Sequence, residues 1–398
     1  MVFKTAIICA VSPIPTKINC SSWMLDKDIT YLNHGSFGAR VEEVHAYQQS
    51  LKREFELSPV HFLDRQTYRI DNARNVIANF LDADIEGFGF VDNATTGVGS
   101  VVQSIKFSPN DEILTTDLVY NGIRQLLTRV ANDTGCSYRE LPVAFPLQNS
   151  HELLELISNA LTKKTKLLVV DHVASASSIL FPVHEIAQLC REKGVLLLID
   201  GAHAPGMLDL SIRSIGADWY VGNLHKWVCA PLSAGFVYAS EEQRDSTHPM
   251  TISHAYTQGL TSEFDWQGSK DITPWLAAAK AVEWGNELGW DRIQKHNHDL
   301  AVWMQQTLVE SWNVEPLSPI DGSMLGSMAT VQLPDNLPKE IESCSAYRDV
   351  LYEKYQIEVP VFVLQGRGVL RVSAQLYTRA SDLEHLLKAI KIYPPMHK

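Results

Sequence analysis

Nowhere in the 398 residues do lysine and arginine gather into a block. The 34 basic residues are outnumbered by 46 acidic ones, giving a net charge of −12, so the electrostatic footprint that nucleic acid or an anionic membrane surface requires is missing. Paired cysteines are missing too. Cys9, Cys20, Cys136, Cys190, Cys229 and Cys344 stand apart without CxxC spacing, which suits neither a zinc site nor a small disulfide scaffold and points to a reducing cytoplasm. No metal site and no nucleic-acid or membrane partner is expected. Internal repeats, low-complexity tracts and heptads are lacking as well, which excludes solenoid and coiled-coil architectures. Residues 5–12, after Lys4, imitate a short signal segment but are too short to span a bilayer and lack a small-residue cleavage site.

What is present is the composition of an ordinary soluble globular protein. Apolar residues make up 45% of the chain, enough for a large and a small domain sharing an interface. Strand-like apolar runs at 87–91, 112–115, 166–170, 195–199, 219–221 and 235–238 alternate with helical patterns, the signature of an α/β fold. One such helix, over 183–190, is closed by Lys193-Gly194 in the manner of a glycine cap. From about residue 280 the pattern changes to two helical stretches, strands at 328–333 and 369–373, and a final helix from Ser381. That part is assigned to the small domain.

The run at 195–199 reads as a strand buried on both faces and ends in Asp200, where open α/β sheets bind ligands. After the Gly216-Ala217-Asp218 turn comes Asn223-Leu224-His225-Lys226-Trp227. A carboxylate at a strand end followed by such a lysine matches the needs of pyridoxal phosphate. That cofactor withdraws electrons from a substrate carbon while its ring nitrogen is held protonated by a carboxylate, and it is tethered through a lysine amine. Asp200 and Lys226 fill these roles. The cofactor's phosphate calls for backbone N–H groups at a helix start together with hydroxyls, and the strand ending at Val91 leads through Asn93-Ala94 into Thr95-Thr96-Gly97 and an apolar helix. Thr95 and Thr96 are the candidate cradle.

These motifs in this order resemble the class V aminotransferase superfamily of fold-type I pyridoxal phosphate enzymes, from about Leu25 onward. The resemblance implies a large domain over residues 46–275, built on a mostly parallel seven-stranded sheet flanked by helices. It implies also a smaller α+β domain over 276–398 and a segment over 25–45 packed on the small domain and the active site. Residues 1–24 would then be an extension outside the fold, with Met24 an alternative start. By resemblance, His225 adds a phosphate contact, and Gly268-Ser269 reaches the phosphate of a neighbouring subunit, which makes the protein a homodimer with shared active sites. Tyr120 covers the cofactor face opposite the lysine, and His172 and Ser175 line its O3′ side. His203 touches Asp200 or the ring, or else serves only as a buried neighbour. Arg371, in the family's Arg-hydrophobe-Ser element, offers the planar pair of donors that a substrate carboxylate requires, while Asn33, His34 and Ser36 fold over the pocket mouth.

The superfamily divides by reaction. Desulfurases carry an acceptor cysteine on the loop before the arginine, and residues 357–368 contain none. The combination of Asn33-His34-Gly35-Ser36, Ser58-Pro59-Val60-His61, Asp171-His172-Val173 and Ile357-Glu358-Val359-Pro360 resembles the isopenicillin N epimerase group, which shades into cysteine and hercynylcysteine sulfoxide C–S lyases. One departure is Tyr377-Thr378, where relatives carry Tyr-Asn. The expected reaction is therefore epimerisation at the Cα of an amino acid, with Lys226 and Tyr120 on opposite faces. The alternative is C–S lysis releasing pyruvate. A non-catalytic binding protein on the same fold is a third reading, against which the intact Asp200/Lys226 pair argues.

Overall fold

A computed structural model describes residues 22–392. The extension expected over 1–24 falls mostly outside the described residues, as do Cys9 and Cys20. Trp23, however, bridges to Val41 and sets its ring edge-on against Tyr377 and Trp284, so packed chain is present ahead of Leu25.

Among the described residues the larger sheet has seven strands. In spatial order they are Phe88–Val91, Gly235–Ala239, Trp219–Asn223, Leu196–Gly201, Thr165–Asp171, Glu112–Thr116 and Ser137–Leu141. Only Gly235–Ala239 runs against the others, and the interior strands are buried nearly throughout because helices cover both faces. Strand ends set the site. Asp171 pairs with Asp200 across two neighbouring strands, and the loops that carry Thr95, Tyr120 and Lys226 all leave the same carboxyl edge.

The expected strands appear with their ends moved by a residue or two, and helix Val183–Lys193 closes on Gly194 in the left-handed conformation. Ser137–Leu141 was not expected. It is the sheet's edge, half-exposed and charged, with Arg139 paired to Glu112 and Glu140 to Arg124, so it carries no apolar run to detect. A three-stranded antiparallel sheet of Val361–Leu364, Arg367–Ser373 and Met328–Gln332 forms the small layer, backed by helices Trp290–Trp312 and Ile341–Tyr355. The boundary expected at 275/276 falls inside helix Thr273–Leu288, which packs on Glu42–Leu57 and Gln66–Phe80 rather than on the small sheet. Its run of buried alanines lets those helices approach closely.

The N-terminal segment crosses both layers. Residues Thr30–Tyr31 pair in parallel with Ile357–Glu358, and the chain then passes so close to the lysine loop that a Cβ on Gly38 would lie 2.2 Å from the Lys226 carbonyl oxygen. Neither partner is a flexible side chain that can move aside. Gly38→Ala is therefore expected to cost about 1–3 kcal/mol, read as a lowered denaturant midpoint of the full chain. An unchanged midpoint would mean that this segment is not pressed against the loop.

Candidate active site

Lys226 sits in the turn after strand Trp219–Asn223, and each end of the residue is held. Its carbonyl oxygen accepts a hydrogen bond from His34 Nε2 at 3.1 Å, while its Nζ lies 3.1 Å from His203 Nε2. Burial, and after it the Arg371 charge, holds the amine down at about 7, with Asp200 and Asp171 pulling it the other way. Asp200 is 3% exposed. Burial raises its carboxyl, opposed by the Ala202 N–H on Oδ1 at 3.0 Å and by Lys226. Asp171 is raised well above the usual range by burial and then by the Asp200 charge, and its Oδ2 has no hydrogen-bond partner. Of the two carboxyls, Asp171 is the more strongly raised.

At the other end of the site, Asn93 caps helix Ala94–Ser104, its Oδ1 accepting from the Thr96 N–H at 2.9 Å. Asn223 Oδ1 takes the Ala94 N–H at 2.8 Å, tying the cradle to the strand that carries the lysine. Thr95 is exposed on this first turn with its hydroxyl uncommitted, whereas the Thr96 hydroxyl donates to Asn93 at 3.2 Å. Tyr120 stands beside Thr95, both lying within 4 Å of where a Cβ on Gly122 would be, and is 49% exposed.

Arg371 is 3% exposed, and burial lowers it to about 10. Its Nη1 donates to the Ser175 carbonyl and hydroxyl at 2.7 and 3.2 Å, and Nη2 to the Ser36 hydroxyl at 2.7 Å. Among the described residues the buried Nε has no hydrogen-bond partner. A guanidinium has five N–H donors, so the three bonds to serines leave donors uncommitted.

The structure thus gathers Lys226, Asp200, His203, Arg371, Ser175 and Ser36, with Thr95, Thr96 and Tyr120 on the same sheet edge. Other expected residues sit differently. His34 is fully buried and both its ring nitrogens are engaged, Nδ1 by Tyr377 and the Ala39 N–H and Nε2 by Lys226; it clamps the lysine loop instead of facing substrate. Ser175 supports Arg371 rather than standing free for a cofactor oxygen. The Asn33 side chain bonds Glu358. His172 Nδ1 is 2.7 Å from the Tyr220 hydroxyl, and His225 Nδ1 donates to the Ala234 carbonyl at 3.2 Å. Burial lowers these two imidazoles to about 3 and about 4. Gly268 and Ser269 line a separate cavity of about 480 Å³ with Lys52, Phe62 and Trp266. Asp171, Tyr220, Asn223 and Trp227 were not singled out from sequence. Asp171 and Trp227 adjoin His172 and Lys226 and could have been tested by that adjacency, but Tyr220 lies within an apolar strand and gives no signal.

These groups fit pyridoxal phosphate: a buried carboxylate, a buried amine of lowered basicity, an orphaned acid at Asp171 and a capped helix start with an exposed hydroxyl. The amine's lowered value sets a pH test. Free amine forms as pH rises through about 7, so capture of an added aldehyde by the cofactor-free chain should climb about tenfold per pH unit below that point and level off above it. A climb continuing to pH 10 would identify an ordinary exposed lysine.

Comparison with known proteins identifies the family. The class-V aminotransferase family matches residues 41–386. A probable chloroplastic L-cysteine desulfhydrase of Arabidopsis thaliana is 31% identical over 92% of this chain and 83% of its own length. Isopenicillin N epimerase of Amycolatopsis lactamdurans is 30% identical over 92% of this chain and 96% of its own. Among solved structures, the cystine C–S lyase C-DES in complex with its product cysteine persulfide superposes with a TM-score of 0.78 at 21% identity, covering 93% of this chain and 99% of that one. With the lysine and aspartate at the carboxyl edge of the seven-stranded sheet and the arginine on the small sheet beside them, the chain belongs to the class-V aminotransferase family of pyridoxal phosphate-dependent enzymes.

Proposed function

We propose that this enzyme removes the Cα proton of an L-amino acid with Lys226 and expels a sulfur group from Cβ, a C–S lyase reaction on a cysteine-type substrate. The observation that carries this reading is that the site offers one buried amine of lowered basicity and, among the described residues, no matching buried base at Tyr120, the position expected to face it. Tyr120, expected to return a proton from the opposite face in an epimerase, is half in solvent, and among the described residues nothing hydrogen-bonds its hydroxyl. Elimination needs a single base, and the desulfhydrase relative supports the same reading.

In this reading Asp200 would hold the protonated ring nitrogen, and the Ala94–Ser104 helix start with Thr95, Thr96 and His225 would hold the phosphate. The bound cofactor supplies an electron sink for the Cα–H bond. Arg371 would receive the substrate carboxylate on its uncommitted donors, with Ser36 and Ser175 fixing the plane of the fork. Lys226 would then take the Cα proton and hold it at Nζ. The epimerase reading keeps two supporting observations: the Tyr120 ring does stand beside Thr95, and isopenicillin N epimerase of Amycolatopsis lactamdurans is 30% identical.

The same reading includes a homodimer. Ser269 is exposed away from this chain's own lysine, and Leu57, Val60 and Tyr68 present apolar surface on the helices around the Gly268-Ser269 cavity, which suits a second copy that would receive Ser269 at its phosphate. No helix among the described residues is long and apolar enough to cross a membrane. Cys136, Cys190 and Cys344 form no disulfide among the described residues, in keeping with a reducing cytoplasm.

Two outcomes check this proposal. Incubation with L-cysteine and S-substituted cysteines should release pyruvate with sulfide or thiol and no D-enantiomer; a D-amino acid without pyruvate would establish the epimerase instead. Arg371→Lys should lower kcat/KM by roughly 10- to 100-fold, since an ammonium cannot supply two parallel charged bonds worth about 1.5–3 kcal/mol each. Unchanged kcat/KM would remove Arg371 from the carboxylate site.

A further inference from the structure

Trp227 directly follows the reactive lysine, yet its ring points away from the cofactor groups into a small apolar cluster with Val173, Met207 and Met328, where it is 1% exposed. One polar contact leaves that cluster: the indole Nε1–H lies 3.4 Å from His203 Nδ1. An indole nitrogen can only donate, so His203 Nδ1 must accept. His203 is itself 2% exposed and is held neutral, well below the usual imidazole range, by burial and then by the charges of Lys226, Arg371 and His225. A neutral imidazole has one ring proton. With Nδ1 accepting, that proton belongs to Nε2, the atom 3.1 Å from Lys226 Nζ.

We propose that Trp227 locks His203 in the Nε2–H tautomer, making His203 a donor to the Lys226 amine and Trp227 a positioning residue for the proton carried there. A donor opposite Nζ is satisfied only by the lone pair of a neutral amine. An ammonium at the same place would set N–H against N–H. The lock thus acts with Arg371, which also disfavours the ammonium, against Asp200 and Asp171, which favour it; His225 is the remaining titratable neighbour and flanks His203. When Lys226 takes up a Cα proton, His203 gives the resulting ammonium no acceptor, so the lock weakens the hold of Nζ on that proton. Were the tautomer reversed, Nε2 would accept from the ammonium and hold the proton on the lysine. The packing of the indole against Met328 and Met207 keeps its N–H from turning elsewhere.

This inference rests on Lys226 being the reactive amine, and its test separates the two claims. The full chain, freed of cofactor and labelled with nitrogen-15 in histidine, reports the tautomer directly, and pH-dependent acetylation of Lys226 read by mass spectrometry reports the amine's midpoint. The expected result is a protonated Nε2 and bare Nδ1 at His203 and an acetylation midpoint near 7. In Trp227→Phe the midpoint should rise by about one pH unit, a roughly fivefold loss of reactivity at pH 7. Should the phenylalanine variant fail to fold, an isosteric benzothienyl side chain at position 227, which lacks only the N–H, makes the same prediction. In a His203→Gln background the second change should leave the midpoint where it is, because an amide has no tautomer to lock. A protonated Nδ1 in the parent, an unmoved midpoint in both Trp227 variants, or a shift that persists in the His203→Gln background would each overturn the lock. A parent midpoint near 10 would instead overturn the assignment of Lys226.

Discussion

A primary amine taken out of water must either lose its proton or be matched by negative charge, and the burial of Lys226 places this choice at the centre of the fold. Arg371 and two carboxyls surround the same amine, so none of them can be moved without changing its protonation. The remaining architecture fixes that balance in place. His34 holds the lysine carbonyl from the N-terminal segment, Gly38 lets that segment press on the same peptide, and Tyr377 from the small domain closes over His34. One residue of the large domain is thereby gripped by both flanking parts of the chain.

The parallel sheet explains how groups so distant in sequence come together. Because six of seven strands run the same way, the turns that follow Val91, Thr116, Asp171, Gly201 and Asn223 all open on one edge. The cradle helix, the two carboxyls and the lysine then differ only in which strand delivers them. Asn223 adds a direct tie by capping the Ala94 N–H, coupling the lysine's strand to the phosphate end. Arg371 comes from the small sheet, and its serine partners come from the large domain and the N-terminal segment, so the carboxylate fork is assembled only when all three parts pack.

Much of this was legible in sequence where a chemical need coincides with a local pattern. An aspartate ending a run of leucines, a lysine after a turn and an arginine inside an apolar strand each violate the surrounding hydrophobicity in a way that only function repays, and each lies in the site. Ser137–Leu141 was illegible because edge strands carry charge. His34 was misplaced for another reason: histidine in a glycine-rich segment looks like a ligand contact, and only the three-dimensional path shows both ring nitrogens consumed by Lys226, Tyr377 and Ala39. Ser175 illustrates the same point, since a hydroxyl suited to a cofactor oxygen suits a guanidinium equally well. The indole of Trp227 reads as core in any sequence, and its N–H matters only because His203 lies across from it.

The account stands on one covalent attachment. Borohydride reduction of the enzyme as isolated, followed by proteolysis and mass mapping, should yield a single pyridoxyl-tagged peptide carrying the label on Lys226. A label on any other lysine, such as Lys270 beside Trp275, or a reduced protein that carries no label at all, would contradict it.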